Sequence, residues 1–77
     1  MNINVHLFGI LADHLPSSES GKGTLEMGEA STIKELFQEL AIKRRVAFAV
    51  NGEHDLDENH MLQEGDEVLV FTSVSGG

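Results

Sequence analysis

The chain has 77 residues, a formal net charge of −8 at pH 7 and no cysteine. This length predicts a single domain over residues 1–77. A domain of this size buries too little surface to enclose both a core and a deep, dry catalytic pocket, so we expect a protein on which other proteins act and not an enzyme. The negative charge disfavours nucleic acid and anionic membranes as partners. A chain without cysteine has neither disulfides nor thiolate metal sites.

The first strand is predicted from the alternation of apolar and polar residues over 2–8. Ile3, Val5 and Leu7 share one face, whereas Phe8 lies on the opposite, otherwise polar face, where an aromatic ring needs a cover or a partner. The segment has neither the basic start of a signal peptide nor the length of a membrane span. We therefore expect a cytoplasmic protein.

A helical turn, a loop and a second strand are predicted next. Leu11 and His14 have the spacing of one helical turn, which Pro16 ends. Residues 17–23 are rich in serine and glycine, which is typical of a flexible loop. The second strand is expected over residues 24–29.

The main helix is the clearest local signal. Thr32 and Glu35 have the spacing of a capping box, in which each side chain binds the other residue's backbone N–H. The apolar residues that follow recur at helical spacing and form one stripe that must lie on a sheet: Ile33, Leu36, Phe37 and Leu40. The basic run 43–45 is expected at the helix end, where positive charge favours the negative pole of the dipole.

Two more strands are predicted in the second half. Residues 46–50 form an apolar run that enters an Asn-Gly turn at 51–52. A second turn at 64–66 leads into a strand at 68–71, and residues 72–77 are expected to form a flexible C-terminal tail. The order strand, strand, helix, strand, strand indicates an α+β roll with one helix packed on one face of the sheet.

Metal sites are disfavoured by the spacing of the candidate ligands. The four histidines lack a motif that fixes ligand geometry. Asp55, Asp57 and Asn59 match the start of a calcium loop, but His60 stands where that loop needs glycine. A solvated acidic loop is the better interpretation, and we expect no metal site. Residues 46–77 contain seven acids and no lysine or arginine, which serves solubility or steers the chain onto a basic partner.

The segment Gly76-Gly77 has chemical consequences because two residues without Cβ form the thinnest possible chain. Such a segment can enter a narrow active site, although by itself a Gly-Gly pair is weak support for that role. Three segments give it context: residues 49–53 (AVNGE), residues 62–68 (LQEGDEV) and residues 74–77 (VSGG).

Together these segments resemble the ubiquitin-like sulfur carriers of the MoaD and ThiS type, and the likeness covers essentially the whole chain. Residues 7–15 (LFGILADHL) are similar to the branch that contains the small subunit of molybdopterin synthase. The chain departs from that branch at Thr72-Ser73, where two prolines are common, and at Ala12-Asp13, where a basic residue and glutamate are frequent. The resemblance implies a ubiquitin-like β-grasp fold with a mixed sheet.

The resemblance also implies a chemistry. An ATP-dependent activating enzyme would adenylate the carboxyl group of Gly77, and a sulfur donor would replace AMP to leave a thiocarboxylate. Gly76 and Gly77 would then be the reactive end, and no cofactor would be bound, since the activating enzyme uses the ATP. The partner-binding residues implied by the resemblance are Phe8, Phe71, Val74 and Ser75. The acceptor would be the large subunit of molybdopterin synthase or another sulfur acceptor.

Three alternatives remain open from the sequence. The chain can supply sulfur to thiamine synthesis or to another sulfur pathway. It can act as a protein modifier, with Gly77 in an isopeptide bond to a lysine of another protein. It can also be a plain interaction module whose Gly-Gly pair is incidental.

Overall fold

The computed structural model describes residues 1–14, 21–43 and 45–72. Four strands and one α-helix follow in the predicted order: β1 (Asn2–Leu7), β2 (Lys22–Glu26), α1 (Ile33–Glu39), β3 (Val46–Val50) and β4 (Glu67–Thr72). A 3₁₀ helix, Gly9–His14, stands between β1 and β2. No helix in the described part of the chain is long and apolar enough to cross a membrane.

The strands form one mixed sheet in the order β2-β1-β4-β3. The two central strands, β1 and β4, are parallel, and each pairs antiparallel with one edge strand. Parallel strands need a long crossover connection. Here the whole of β2, α1 and β3 lies between them in sequence. The predicted α+β roll with a mixed sheet is confirmed.

The helix begins and packs as its sequence predicts. Thr32 is the N-cap, and the capping box with Glu35 is complete in both directions. The predicted apolar stripe faces the sheet, because Ile33, Leu36 and Leu40 are buried, and the ring of Phe37 meets that of Phe48 edge to face at 5.5 Å between centroids. The core lies between this stripe and the alternating residues of β1 and β4: Ile3, Val5, Leu7, Val68 and Val70.

The helix ends earlier than the basic run suggests. Leu40 is the C-cap, and Ala41 has a positive φ of 59°, which turns the chain away from the helix axis. No basic residue lies in the last turn, so the expectation for residues 43–45 is wrong. His14 supplies a donor there instead: its Nδ1 donates a hydrogen bond to the carbonyl oxygen of Leu40 at 2.8 Å.

The second strand begins two residues earlier and ends three residues earlier than predicted. Lys22 and Gly23 are strand residues, paired with His6 and Val5 of β1, and are not part of a loop. The start is fixed by Gly21, whose carbonyl oxygen accepts the N–H of Leu7 at 2.7 Å. At the opposite edge of the sheet, β3 pairs with β4 as far as Thr72, which is opposite Val46, so the predicted tail starts one residue too early.

Gly21 is required for both its conformation and its close approach to β1. Its φ is +75°, and a Cβ at this position would overlap the carbonyl oxygen of Leu7. We expect Gly21→Ala to lower the free energy of unfolding by about 2–5 kcal/mol, because backbone strain and a steric clash add together.

The matched control is Gly52, which has a φ of +87° but open space around the position of a Cβ. Gly52→Ala should lower the free energy of unfolding by about 1–2 kcal/mol, from backbone strain alone. Chemical denaturation of both variants measures the difference. Equal losses would show that the contact with Leu7 relaxes at no cost.

Candidate docking surface beside the end of the last strand

One face of the sheet carries the helix, and the opposite face is open. Residues that alternate with the core positions point to this open face, and in the central pair they meet in register: His6 lies opposite Leu69. Continuing the same register places Phe8 opposite Phe71. The N–H of Phe8 donates to the carbonyl oxygen of Val70 at 3.0 Å, so the pairing extends one residue beyond the end of β1.

The two predicted aromatic residues are brought together by this register. The rings of Phe8 and Phe71 are 6.4 Å apart between centroids and meet edge to face at 81°. The imidazole of His6 stacks on Phe8, with 3.9 Å between centroids. Phe8 is 40% exposed and Phe71 is half-buried. We call His6, Phe8, Leu69 and Phe71 the open-face patch.

The patch stands at the end of the sheet from which the C-terminal segment leaves. Phe71 is the penultimate residue of β4, and Thr72 is the last. The other four predicted site residues follow in sequence but lie outside the described residues: Val74, Ser75, Gly76 and Gly77. The structure therefore places the two predicted aromatic residues and not the predicted reactive end.

Sequence reasoning missed several members of this surface. His6 and Leu69 belong to the patch because they share its face, which the alternation of β1 and β4 could have indicated. Ile10, in the 3₁₀ helix after Phe8, is 60% exposed. A depression of about 450 Å³ continues the open face from His6 and Leu69 towards Lys22 and Thr24 of β2.

Most acidic residues of the second half of the chain lie at the end of the sheet away from the open-face patch. Those between Glu53 and Glu64 occupy the connection from the carboxyl end of β3 to the amino end of β4. The patch is at the carboxyl end of β4, where the chain before β3 carries the exposed Lys43 and Arg45. These acidic residues are close to the C-terminus in sequence but lie far from the patch along the strands. They therefore do not surround the patch.

The calcium-loop match is explained by local turns. The side-chain carboxylate of Asp57 accepts a hydrogen bond from the backbone N–H of Asn59 at 2.8 Å. The backbone carbonyl of Asp57 accepts one from the backbone N–H of His60 at 3.0 Å. Within residues 1–14, 21–43 and 45–72, no three histidine or acidic side chains are grouped to hold a metal ion.

Two motifs behind the family resemblance contact each other directly. The amide of Asn51 donates to one carboxylate oxygen of Asp66 at 3.0 Å and accepts the N–H of Glu67 at 3.0 Å. The second carboxylate oxygen of Asp66 accepts the N–H of Gln63 at 2.8 Å. Asp66 is only 7% exposed, so this bonding satisfies a buried charge. These residues fix the register of β3 on β4 and have a structural role.

The mixed sheet, its strand order and the α-helix packed on one face define a ubiquitin-like β-grasp protein. The family model described as the ThiS family matches residues 5–77, and the chain belongs to that family. This confirms the predicted resemblance to the ubiquitin-like sulfur carriers of the MoaD and ThiS type. A comparison with curated proteins gives no significant match.

Solved structures share the fold at low sequence identity. SAMP1 from Haloferax volcanii is 19% identical over 100% of both chains, with a TM-score of 0.76. A candidate subunit 1 of molybdopterin converting factor from Pyrococcus furiosus is 20% identical over 96% of this chain and 99% of its own, with a TM-score of 0.79. A chain in the complex of subunits 1 and 2 of molybdopterin-converting factor from Helicobacter pylori is 24% identical over 100% of both chains, with a TM-score of 0.65.

The open-face position of Phe71 gives a prediction about stability. Phe48 packs against the core and Phe37, whereas Phe71 lies on the other side of the sheet. Phe48→Ala should lower the free energy of unfolding by about 3 kcal/mol, because its half-buried ring packs against the core and against Phe37. Phe71→Ala should cost about 1 kcal/mol or less, because its ring leaves no buried cavity. Chemical denaturation distinguishes them, and equal costs would make Phe71 a core residue.

Proposed function

We propose that the chain is a sulfur carrier whose terminal glycine, Gly77, is adenylated, converted to a thiocarboxylate and used to donate sulfur in molybdenum cofactor biosynthesis. The observation that carries the proposal is the open-face patch beside the end of β4. This patch adjoins the point where the chain continues towards Gly76 and Gly77. Membership of the ThiS family, with a match that extends to residue 77, supports the same function.

The chemistry requires no catalytic side chain from this protein. An oxygen of the Gly77 carboxylate would attack the α-phosphorus of ATP on an activating enzyme, and pyrophosphate would leave. A sulfide equivalent would then attack the carbonyl carbon, and AMP would leave with the electron pair of the C–O bond. The product is a terminal thiocarboxylate, in which one sulfur atom has replaced one oxygen. The carrier contributes the acyl group and the partners contribute the catalysis.

The parts of the chain would divide this work. Gly76 and Gly77 carry no Cβ, so a narrow active site can enclose their backbone. Val74 and Ser75 would lie along the channel of the partner. Phe8 and Phe71 would be buried on docking, since exposed aromatic pairs provide much of the energy of protein interfaces.

Two partners follow from this scheme. The first is the ATP-dependent activating enzyme, and the second is the large subunit of a molybdopterin synthase. The Helicobacter pylori protein, which shares the fold, has been solved as a complex of subunits 1 and 2 of molybdopterin-converting factor. The helical segment after β1 lies within residues 7–15, whose sequence resembles the molybdopterin-synthase branch, and this supports the same partner.

The direct test is the intact mass of the chain after incubation with an activating enzyme, ATP and sulfide. We expect the mass to rise by the difference between one sulfur and one oxygen atom, with the change located in the terminal peptide. The matched control lacks Gly76 and Gly77 and should keep its original mass. An unchanged mass, with an enzyme that activates its own carrier, would contradict the proposal.

The docking role of the patch is tested by binding to the large synthase subunit. Phe8→Ala and Phe71→Ala should each weaken binding by about 2 kcal/mol, or roughly thirtyfold, as for interface hot spots. The control is Met61→Ala, because Met61 is 57% exposed but lies beside the start of α1. Titration calorimetry gives the three affinities. If the Met61 variant binds as weakly as the phenylalanine variants, the patch is not the docking surface.

A protein modifier is the second candidate, and the structural likeness to a small archaeal modifier protein favours it. In that role Gly77 would form an isopeptide bond with a lysine of another protein. Conjugates that persist after denaturation, and disappear when Gly76 and Gly77 are deleted, would support it.

Thiamine synthesis is the alternative pathway for the carrier chemistry. It shares every step up to the thiocarboxylate and differs only in the acceptor. Supplying the thiocarboxylated chain separately to a molybdopterin synthase large subunit and to a thiazole synthase decides between them, because only the cognate acceptor should consume the sulfur.

A further inference from the structure

The edge of β3 has unused backbone hydrogen-bonding groups. The N–H of Asn51 donates to the carbonyl of Glu67 at 2.8 Å, which fixes the phase of the antiparallel ladder. Alternate residues of such a ladder bond to the partner strand, and the residues between them point away from it. The N–H and carbonyl groups of Val46, Phe48 and Val50 therefore point to the outer edge of the sheet.

Only two of these three residues remain available to another chain. Val50 exchanges hydrogen bonds with Glu53 at 3.0 and 2.9 Å. Across the described ranges, the outward groups of Val46 and Phe48 have no backbone partner. Their spacing of two residues is the spacing at which an added strand forms hydrogen bonds.

The other edge of the sheet is protected, and β3 is not. The outward residues of β2 are Lys22, Thr24 and Glu26, because Gly21 and Met27 are the residues that bond to β1 and its neighbours. Charged side chains at an edge discourage the addition of further strands. The strand residues of β3 are all apolar: valine, alanine and phenylalanine.

A groove runs along the edge of β3 on the helix side. Its volume is about 320 Å³, and its walls are formed by Phe37, Val46 and Phe48, together with Lys43, Arg45 and Glu58. Phe37 and Phe48 meet edge to face, and both are half-buried, so their rings give the groove an apolar floor. This face of the sheet is opposite to the open-face patch.

The positive charge at one end of the groove favours an acidic ligand. Lys43 and Arg45 are exposed and precede β3, in a chain with only five basic residues and a net charge of −8. Acidic side chains would be attracted to this end and repelled by Glu58 on the far wall. A second copy of the chain would bring another eight negative charges, which disfavours self-association.

We propose that the edge of β3 and this groove bind an extended, acidic segment of another protein as a fifth strand of the sheet. The backbone groups of Val46 and Phe48 would form the new ladder, apolar side chains would cover Phe37 and Phe48, and acidic residues would lie beside Lys43 and Arg45. Main-chain bonds supply affinity in this mode, and the side-chain pockets and charges supply specificity. Because the groove and the open-face patch lie on opposite faces, this segment can bind without displacing the partner bound by the patch.

The probe is a synthetic peptide, acetyl-Val-Thr-Ile-Thr-Glu-Asp-Glu-amide, with a fluorescent label, and the full chain is titrated into it. We expect saturable binding and slower hydrogen exchange at the amides of Val46 and Phe48. A peptide with lysine in place of each acidic residue should bind about tenfold more weakly or not at all, because its charges oppose Lys43 and Arg45.

Two pairs of variants locate the site. The double substitution Lys43→Glu and Arg45→Glu should weaken binding about tenfold, whereas Lys22→Glu, at the other edge, should not change it. Val46→Pro removes the outward N–H and spares the bonds to β4, so it should also weaken binding. Val46→Ala keeps the N–H and controls for the lost side chain. Chemical denaturation verifies that each variant is folded.

Three results would overturn the proposal. They are the absence of saturable binding, an equal loss of affinity in the Lys22→Glu variant, and unchanged exchange at Val46 and Phe48 in the saturated complex. Sedimentation equilibrium of the chain alone provides a further check. A dimer that Val46→Pro dissociates and Val46→Ala does not would assign this edge to a second copy and not to an acidic segment. None of these measurements depends on the chemistry of Gly77.

Discussion

The parallel pairing of β1 with β4 is the constraint on which the rest of the structure depends. It joins residues 4–7 to residues 67–70, so it closes a long loop that contains β2, α1 and β3, at a cost in chain entropy. Parallel strands bring their carboxyl ends to the same edge of the sheet. That is why the end of the first strand, with Phe8, meets the end of the last, with Phe71. An antiparallel pair would have separated the two rings by the length of the strands.

The sequence predicts local structure well because its local signals agree with the final packing. The capping box at Thr32 and the stripe that contains Leu36 specify both the start of α1 and its buried face, and the structure has both. The alternation in β1 correctly identifies its core residues and the anomalous position of Phe8. The partnership of Phe8 with Phe71 followed from the family resemblance, since no periodicity reveals which strands are neighbours.

The errors arise where a distant contact decides a boundary. The start of β2 is fixed by a hydrogen bond from Leu7 to Gly21, and serine and glycine around it indicate only a loop. The end of α1 is fixed by the positive φ of Ala41, a conformation for which alanine has no preference. The contact between Asn51 and Asp66 is likewise invisible, although each residue belongs to a motif that the sequence displays. In each case the signal lies in a partner far away in sequence.

The proposed function explains why an aromatic surface stands beside the end of the last strand. Ordering a segment that ends in two glycines costs more conformational entropy per residue than ordering any other composition. Without side chains, Gly76 and Gly77 can return little of that free energy by contact. A partner that encloses them must therefore gain binding free energy from other contacts. Contacts with groups that are already rigid before docking contribute most, because little further entropy is lost. The rings of Phe8 and Phe71 are held by two central strands, so their burial supplies binding energy with little further loss of entropy.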